Sequence, residues 1–211
     1  MMYIIKRDDQ KTYVATFKKV SFVQFKKDML NQFEAYLKSA FLNESTLDQF
    51  LVETYNNIKI PTRSTYGAAG YDFYLPCTIP INRKANYITI PTGIKCEITS
   101  GWMLDLIPRS SAGIKQGFKL RNTIGIIDSD YYNNKDNEGH IMIACQMDGY
   151  PIQECNCNPK KKYDSNWFFS STLEANARLC QGILIPYGVA TNDQENENLI
   201  ERNGGIGSTG N

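Results

Sequence analysis

The sequence has little charge imbalance, a single histidine and no long apolar run. Lysine and arginine number 23 against 22 aspartates and glutamates, so the formal net charge is +1. A nearly neutral chain lacks the electrostatic basis for binding nucleic acid. No apolar stretch reaches the roughly 20 residues of a membrane-spanning helix, and residues 1–7 lack a signal-peptide pattern. We therefore expect a cytoplasmic protein (in the host cytoplasm if viral), with no nucleic-acid or membrane partner.

Cysteine is too sparse for a disulfide framework in a chain of this size. Six cysteines in 211 residues do not make a disulfide framework, so we expect reduced thiols. Cys155-Asn156-Cys157 is a C-x-C pair without a matching second pair. Structural zinc normally needs four regularly spaced ligands, so zinc is the minor alternative here.

Residues 1–56 are predicted to form a partly helical N-terminal extension. Between Phe22 and Phe41 apolar residues recur at steps of three and four, which predicts an amphipathic helix. A shorter helical pattern runs from Leu47 to Tyr55, with Ser45 and Thr46 as candidate caps. We expect the apolar stripe to pack on the core or on a neighbouring subunit; the alternative is a helix that binds a protein partner.

From residue 57 onward the pattern becomes that of a mainly β domain ending at residue 211. Short strands are predicted at Tyr87–Ile90, Gly93–Ile98 and Trp102–Ile107, because glycine, proline and serine bound each run. This spacing indicates a distorted β-barrel or jelly roll. Residues 147–173 are polar and indicate an inserted surface excursion, and residues 192–211 are predicted to form a flexible, glycine-rich arm.

Two kinds of chemistry meet between Pro108 and Ile143. The segment Arg109–Gly117 is dense in hydroxyls, small residues and cations, which suits an anionic ligand. Further on, Asp128 directly follows Gly125-Ile126-Ile127, which predicts a buried strand with a carboxylate at its mouth. A partly shielded carboxylate that faces phosphates is a candidate general base.

These two segments resemble motifs two and three of the trimeric dUTPases, the deoxyuridine triphosphate diphosphatases. Three further motifs match in order: Ala68–Phe73 resembles motif one, Arg178–Ile183 motif four and Arg202–Gly210 the glycine-rich motif five. One such motif is weak support, whereas five in order across residues 57–211 are specific. The resemblance implies a distorted β-barrel subunit and a homotrimer with active sites at the subunit junctions.

The implied reaction is magnesium-assisted hydrolysis of dUTP to dUMP and pyrophosphate, with water attacking the α-phosphorus. Asp128 matches the aspartate that orients or deprotonates this water, and Asp72 the carboxylate that supports catalysis near Mg²⁺, contacting it through water because the ion is held mainly by phosphates. The resemblance also assigns the substrate-binding positions, which are Arg109, Ser110, Ser111, Lys115, Asn122, Gly125, Ile126, Ile127, Tyr131, Met142, Gln181, Arg202, Ile206, Gly207 and Ser208.

The chain departs from the family pattern at two places. Residues 132–138 lengthen the hairpin after Tyr131, where the family more often turns directly through glycine. Ile206 stands where motif five usually has phenylalanine, and the loss of aromatic stacking costs about 0.5–1.5 kcal/mol. His140, the single histidine, follows the lengthened turn, and we expect it to have no direct chemistry.

Two other functions compete with the dUTPase prediction. A dCTP deaminase has a similar fold, but its family carries a glutamate five residues after the hairpin glycine, and Ala144 stands there in this chain. A regulatory module that keeps the fold could bind a protein partner through residues 1–56 or 147–173.

Overall fold

The computed structural model of the chain describes residues 13–41, 43–81, 87–147 and 171–195. Two helices follow the first strand. Helix α1 spans Phe22–Ala40 and α2 spans Glu44–Asn56, in agreement with the predicted periodicities. Ser21 caps α1 by accepting a hydrogen bond from the Gln24 amide. None of the helices in these residues combines the length and hydrophobicity that crossing a bilayer requires.

The predicted cap of α2 is wrong. Its N-cap is Asn43, whose side-chain oxygen accepts a hydrogen bond from the Thr46 amide. Ser45 and Thr46 lie inside the first turn, and the Thr46 hydroxyl donates back to the Asn43 carbonyl. Asparagine is as good an N-cap as serine, so the helix begins one turn earlier than the apolar pattern indicates.

The rest of the described chain is mainly β, as predicted. A short helix, α3, spans Ser110–Gln116. The strands are β1 Ala15–Lys19, β2 Tyr71–Tyr74, β3 Ile79–Ile81, β4 Ile88–Pro91, β5 Ile94–Ile98, β6 Trp102–Pro108, β7 Phe118–Leu120, β8 Gly125–Ile127, β9 Met142–Met147, β10 Ser171–Leu173 and β11 Arg178–Pro186.

The strands pair antiparallel throughout the described residues and form separate small sheets rather than one closed barrel. The largest sheet has the order β2-β11-β6-β8, and a second has the order β4-β9-β7. β1 pairs with β5, and β3 with β10. This jelly-roll-like arrangement confirms the predicted fold class.

One hydrophobic core joins the N-terminal helices to the β domain. Phe25, Met29 and Leu37 of α1 are buried in the same cluster as Phe73 and Ile90 of the strands, and α1 packs against β4. The prediction that the apolar stripe packs on the core is therefore confirmed. The predicted boundary near residue 56 is crossed by this continuous core.

Candidate active site

Three neighbouring strands bring the motif-one and motif-four residues into one row. Gln181 on β11 lies opposite Asp72 on β2 and, on its other side, opposite Ile107 on β6. Antiparallel neighbours lie about 4.8 Å apart, so these residues share one end of the sheet. The side chain of Gln181 also covers Gly70, where an added Cβ would lie 2.3 Å from the Gln181 Oε1.

The Asp72 carboxylate is the centre of this row. Its side chain is 4% exposed; Oδ1 lies 2.8 Å from Nε of Arg109 and Oδ2 lies 3.0 Å from Nη1 of Arg178. The Ser64 hydroxyl donates to Oδ2 at 2.7 Å and accepts from Arg178 at 3.0 Å. The carboxylate therefore holds two guanidinium groups at the end of the sheet, where their charge can attract phosphates.

The segment after β6 forms the short helix α3. Arg109 precedes α3, its amide donates to the Leu179 carbonyl at 2.8 Å, and it is thereby tied to β11. Ser110 and Ser111 are exposed on the first turn. Gly117 ends the helix with φ 63°, a left-handed conformation that favours glycine. Lys115 lies on α3, and its predicted phosphate contact stays a prediction.

The hairpin predicted to bind uracil lies on the edge of the same sheet. β8 pairs with β6 alone in the four-stranded order, and Asn122 lies in the turn that precedes it. Gly125 is buried, whereas Ile126 is 55% exposed. The expectation of a buried strand is therefore wrong at Ile126 in the single chain, because an edge strand leaves one side open.

Asp128 and Tyr131 follow β8. Asp128 is half-buried at the start of a short 3-10 helix, and its side chain makes no capping hydrogen bond there. Tyr131 is 7% exposed; its hydroxyl donates to the His140 carbonyl at 2.9 Å and accepts from the Asn137 amide group at 2.7 Å. The Tyr131 ring is thus held in a fixed position inside the hairpin.

Asp128 and the Arg109 end of β6 are far apart within one chain. Ile127 pairs with Leu104, and Asp128 continues away from there, whereas Arg109 follows the opposite end of β6. Leu104 and Arg109 are five residue steps apart along the chain, which is about 16 Å at 3.3 Å per residue. The carboxylate and the arginine therefore lie at different ends of the sheet.

The remaining predicted site residues are Met142 and positions outside the described ranges. Met142 begins β9 opposite Pro91 and is half-buried. Arg202, Ile206, Gly207 and Ser208 lie outside the described residues, as do the Cys155–Cys157 pair and most of the segment 147–173. Their predicted roles stay predictions.

His140 is fully buried. Its Nε2 accepts a hydrogen bond from the Gly93 amide at 2.7 Å, and its Nδ1 lies 2.5 Å from Oδ2 of Asp28 on α1. Both ring nitrogens are thus engaged with the protein, which argues against a role as a base.

Two residues near Asp72 were missed from the sequence. Ser64 had no motif to mark it, and Arg178 matched motif four without an assigned partner. The register of β11 against β2 pairs Arg178 with Tyr74 and places the Arg178 side chain beside Asp72. Ser64 is brought there by the isolated bridge between Thr62 and Asp72.

Magnesium does not fit this site as an ion held directly by protein ligands. Both Asp72 oxygens already bind arginine or serine groups. Across the four described ranges, no group of three or more His, Cys, Asp or Glu residues could hold a metal ion. An ion brought in by the ligand would be contacted by Asp72 only through water.

Comparison with known proteins finds similarity to dUTPases in both a family model and individual sequences. A family model described as dUTPase matches residues 56–143. The chain is 38% identical over 162 residues to the deoxyuridine 5'-triphosphate nucleotidohydrolase of Lactococcus lactis subsp. lactis (strain IL1403), an alignment that covers 76% of this chain and 95% of the relative. It is 33% identical over 156 residues to the protein of the same name from Chlamydia pneumoniae, with 72% and 91% of the two chains covered.

A solved structure is similar as well. The crystal structure of dUTPase from Streptococcus mutans superposes with a TM-score of 0.50 at 34% sequence identity, covering 62% of this chain and 88% of that one.

Proposed function

The chain belongs to the dUTPase family, and on this premise we propose that it hydrolyses dUTP to dUMP and pyrophosphate with Asp128 as the group that orients or deprotonates the attacking water. The observation that carries the phosphate assignment is the row of Asp72, Gln181 and Arg109 at one end of the sheet. A charged, partly shielded end of this kind suits a triphosphate.

The roles divide between binding and catalysis. Arg109 neutralises phosphate charge, and the exposed hydroxyls of Ser110 and Ser111 and the amide of Gln181 donate hydrogen bonds to phosphate oxygens. Asp72 keeps Arg109 in place through the 2.8 Å contact. Much of the rate enhancement in such a reaction comes from positioning and charge stabilisation, because the protein forms no covalent bond to the phosphate.

We assign recognition of the uracil base of the nucleotide to the edge strand β8. The open side of an edge strand offers backbone donors and acceptors, which can pair with the edge of uracil at Gly125–Ile127. Tyr131 packs beside the deoxyribose, and its fixed ring leaves no room for a 2'-hydroxyl, so UTP is excluded.

Magnesium, when bound with the triphosphate, would neutralise part of the phosphate charge. Asp72 would contact such an ion only through water, while Arg109 and Gln181 orient the phosphates. Cytoplasmic location stays a prediction.

We further propose that the active form is a homotrimer whose sites combine residues of different subunits. An attacking water must lie within about 3 Å of its base, whereas Asp128 and Arg109 of one chain lie at opposite ends of β6. The exposed Ile126 supports this, because contact with a second subunit would cover its side chain.

The decisive test of the reaction is pyrophosphate release from dUTP with Mg²⁺, with dCTP, dTTP and UTP run in parallel. We expect turnover of dUTP alone and a loss of about 100- to 10,000-fold in kcat for Asp128→Asn, the range for removal of a general base. Asp136→Asn, an exposed acid of the same hairpin, is the control and should keep wild-type turnover. Binding of dUTP without turnover would favour a regulatory module instead, and ammonia release from dCTP would favour a deaminase.

The shared site is tested by mixing subunits. Asp128→Asn and Arg109→Ala proteins, each inactive alone, are expected to regain part of the activity after joint refolding, since a mixed trimer contains one site with both native residues. Light scattering should give three times the chain mass of 24.0 kDa. A fully active monomer would contradict the trimer.

A further inference from the structure

The two parts of the chain that depart from the family pattern contact each other. The family-model match begins at residue 56, so β1 and α1 lie outside it, and residues 132–138 lengthen the hairpin after Tyr131. Glu138 of the lengthened hairpin accepts two hydrogen bonds from Ser21, the N-cap of α1: from its amide at 2.9 Å and from its hydroxyl at 2.5 Å. The same carboxylate lies 3.2 Å from Nζ of Lys95 on β5.

A second contact, made by Asp28, lies about two turns further along α1. The Gly93 amide can only donate, so the His140 Nε2 that accepts from it carries no proton. In the neutral ring the proton is therefore on Nδ1, which donates to Oδ2 of Asp28 at 2.5 Å. Gln24 holds the same carboxylate oxygen at 2.7 Å. His140 is fully buried, so this contact is shielded from water.

The contact continues into the predicted catalytic segment. The His140 carbonyl accepts from the Tyr131 hydroxyl at 2.9 Å, and the Tyr131 amide donates to the Asp128 carbonyl at 3.2 Å. Gly139, directly before His140 in the chain, has φ +76°, and an added Cβ there would lie 2.6 Å from the Tyr131 carbonyl oxygen. The hairpin is thus tightly closed, and a displacement of His140 is expected to move Tyr131.

We propose that α1 positions the active-site hairpin, with Asp28 and Ser21 as its positioning residues. They contact His140 and Glu138, and these two residues in turn set the positions of Tyr131 and Asp128. The inference rests on the proposed function, since it assigns the extension a role in the same reaction. Asp28 touches no substrate. It fixes the ring of His140, and the backbone carbonyl of His140 holds Tyr131 beside the sugar.

The chain offers a matched control for a purely structural role of α1. Lys26 lies on the same helix, and its Nζ binds Oδ1 of Asp48 on α2 at 2.7 Å. This ion pair fastens α1 to α2 and does not involve the hairpin. A loss of stability without a change in the hairpin is therefore expected for Lys26→Ala.

The experiment compares wild type, Asp28→Ala, Asp28→Asn and Lys26→Ala as full chains. Hydrogen–deuterium exchange is measured on peptides covering residues 128–140, and kcat and KM are measured for dUTP and UTP, at a temperature where circular dichroism shows all four folded. For Asp28→Ala we expect faster exchange in these peptides and a smaller preference for dUTP over UTP. We also expect a 5- to 50-fold lower kcat for dUTP, which is within the usual range of coupling between sites. Asp28→Asn keeps an acceptor for Nδ1 and should restore most of each value.

Unchanged exchange in residues 128–140 for Asp28→Ala, with wild-type kcat and nucleotide preference, would overturn the proposal. Equal effects of Lys26→Ala and Asp28→Ala on kcat would do the same, because they would show a general loss of stability. If the wild type turns over no nucleotide, the proposed function fails. In that case exchange in the hairpin alone decides whether α1 controls it.

Discussion

Oδ1 of Asp72 forms an ion pair with Nε of Arg109 at 2.8 Å, which joins the motif-one strand to the start of α3. The two residues lie on β2 and just after β6, with β11 between their strands. The contact is therefore made across a neighbouring strand, and it couples the position of the phosphate-binding segment to the integrity of the sheet.

The first prediction concerns this ion pair. Asp72→Asn leaves two guanidinium groups without their carboxylate, and we expect a loss of about 2–3 kcal/mol in the free energy of unfolding, less than for a fully buried pair because Arg178 is 41% exposed. Urea denaturation measures the loss, and kcat/KM for dUTP should fall with it. Glu97→Gln is the control, since its pair with Lys18 is about half exposed and should contribute less than about 1 kcal/mol.

The second prediction concerns Gly70 and Gln181. A methyl group at Gly70 would lie 2.3 Å from the Gln181 Oε1, the far end of a flexible side chain, so Gly70→Ala is expected to displace the amide and leave the fold intact. A lost hydrogen bond to a charged phosphate is worth about 1.5–3 kcal/mol, so KM for dUTP should rise about tenfold or more with little change in Tm. Gly67→Ala in the same loop meets nothing within 4 Å and should behave as wild type. A wild-type KM for both would remove Gln181 from the phosphate site.

The third prediction concerns acid stability. Burial alone would raise the pKa of Glu138, but the hydrogen bonds from Ser21 and the contact with Lys95 outweigh it and lower the pKa from its usual 4.5. A carboxyl group with a lowered folded-state pKa stabilises the protein above about pH 4.5, and this contribution disappears as the pH falls through the folded-state value.

Glu138→Gln should therefore lower the urea midpoint at pH 7, and its difference from wild type should shrink below pH 4.5. A difference that is constant from pH 7 to pH 3 would show that the charge of Glu138 contributes nothing. Asp136→Asn on the same hairpin is the control.

The fourth prediction concerns thiol reactivity. Burial raises the pKa of Cys77 to about 11 and those of Cys96 and Cys145 to about 12, and it raises the pKa of Cys180 well above its usual value. Since the thiolate is the reactive species, these four cysteines should resist iodoacetamide at pH 8 in the folded protein and react after denaturation. Peptide mass spectrometry locates the label, and modification of Cys180 in the native protein would contradict its burial.

The sequence by itself determined the local elements and the motif residues. The three- and four-residue spacing from Phe22 to Phe41 predicted α1 almost to its ends, because helical periodicity is a local property. Glycine and proline likewise bounded β5 and β6 within about a residue of their observed limits. The five ordered motifs indicated the family and the identity of Asp72, Arg109 and Asp128 as candidate site residues.

Only the tertiary structure decided which of these residues meet. Asp28 and His140 are 112 positions apart in the sequence, and Ser64 and Arg178 are 114 positions apart. No local sequence pattern specifies such pairs. The register of β8 against β6 sets Asp128 at the end of the sheet away from Arg109, and a shift of that register would alter the separation. Sequence spacing fixes what each segment can form, whereas strand register and packing fix distances between segments, which is why the role of His140 emerged only from its contacts.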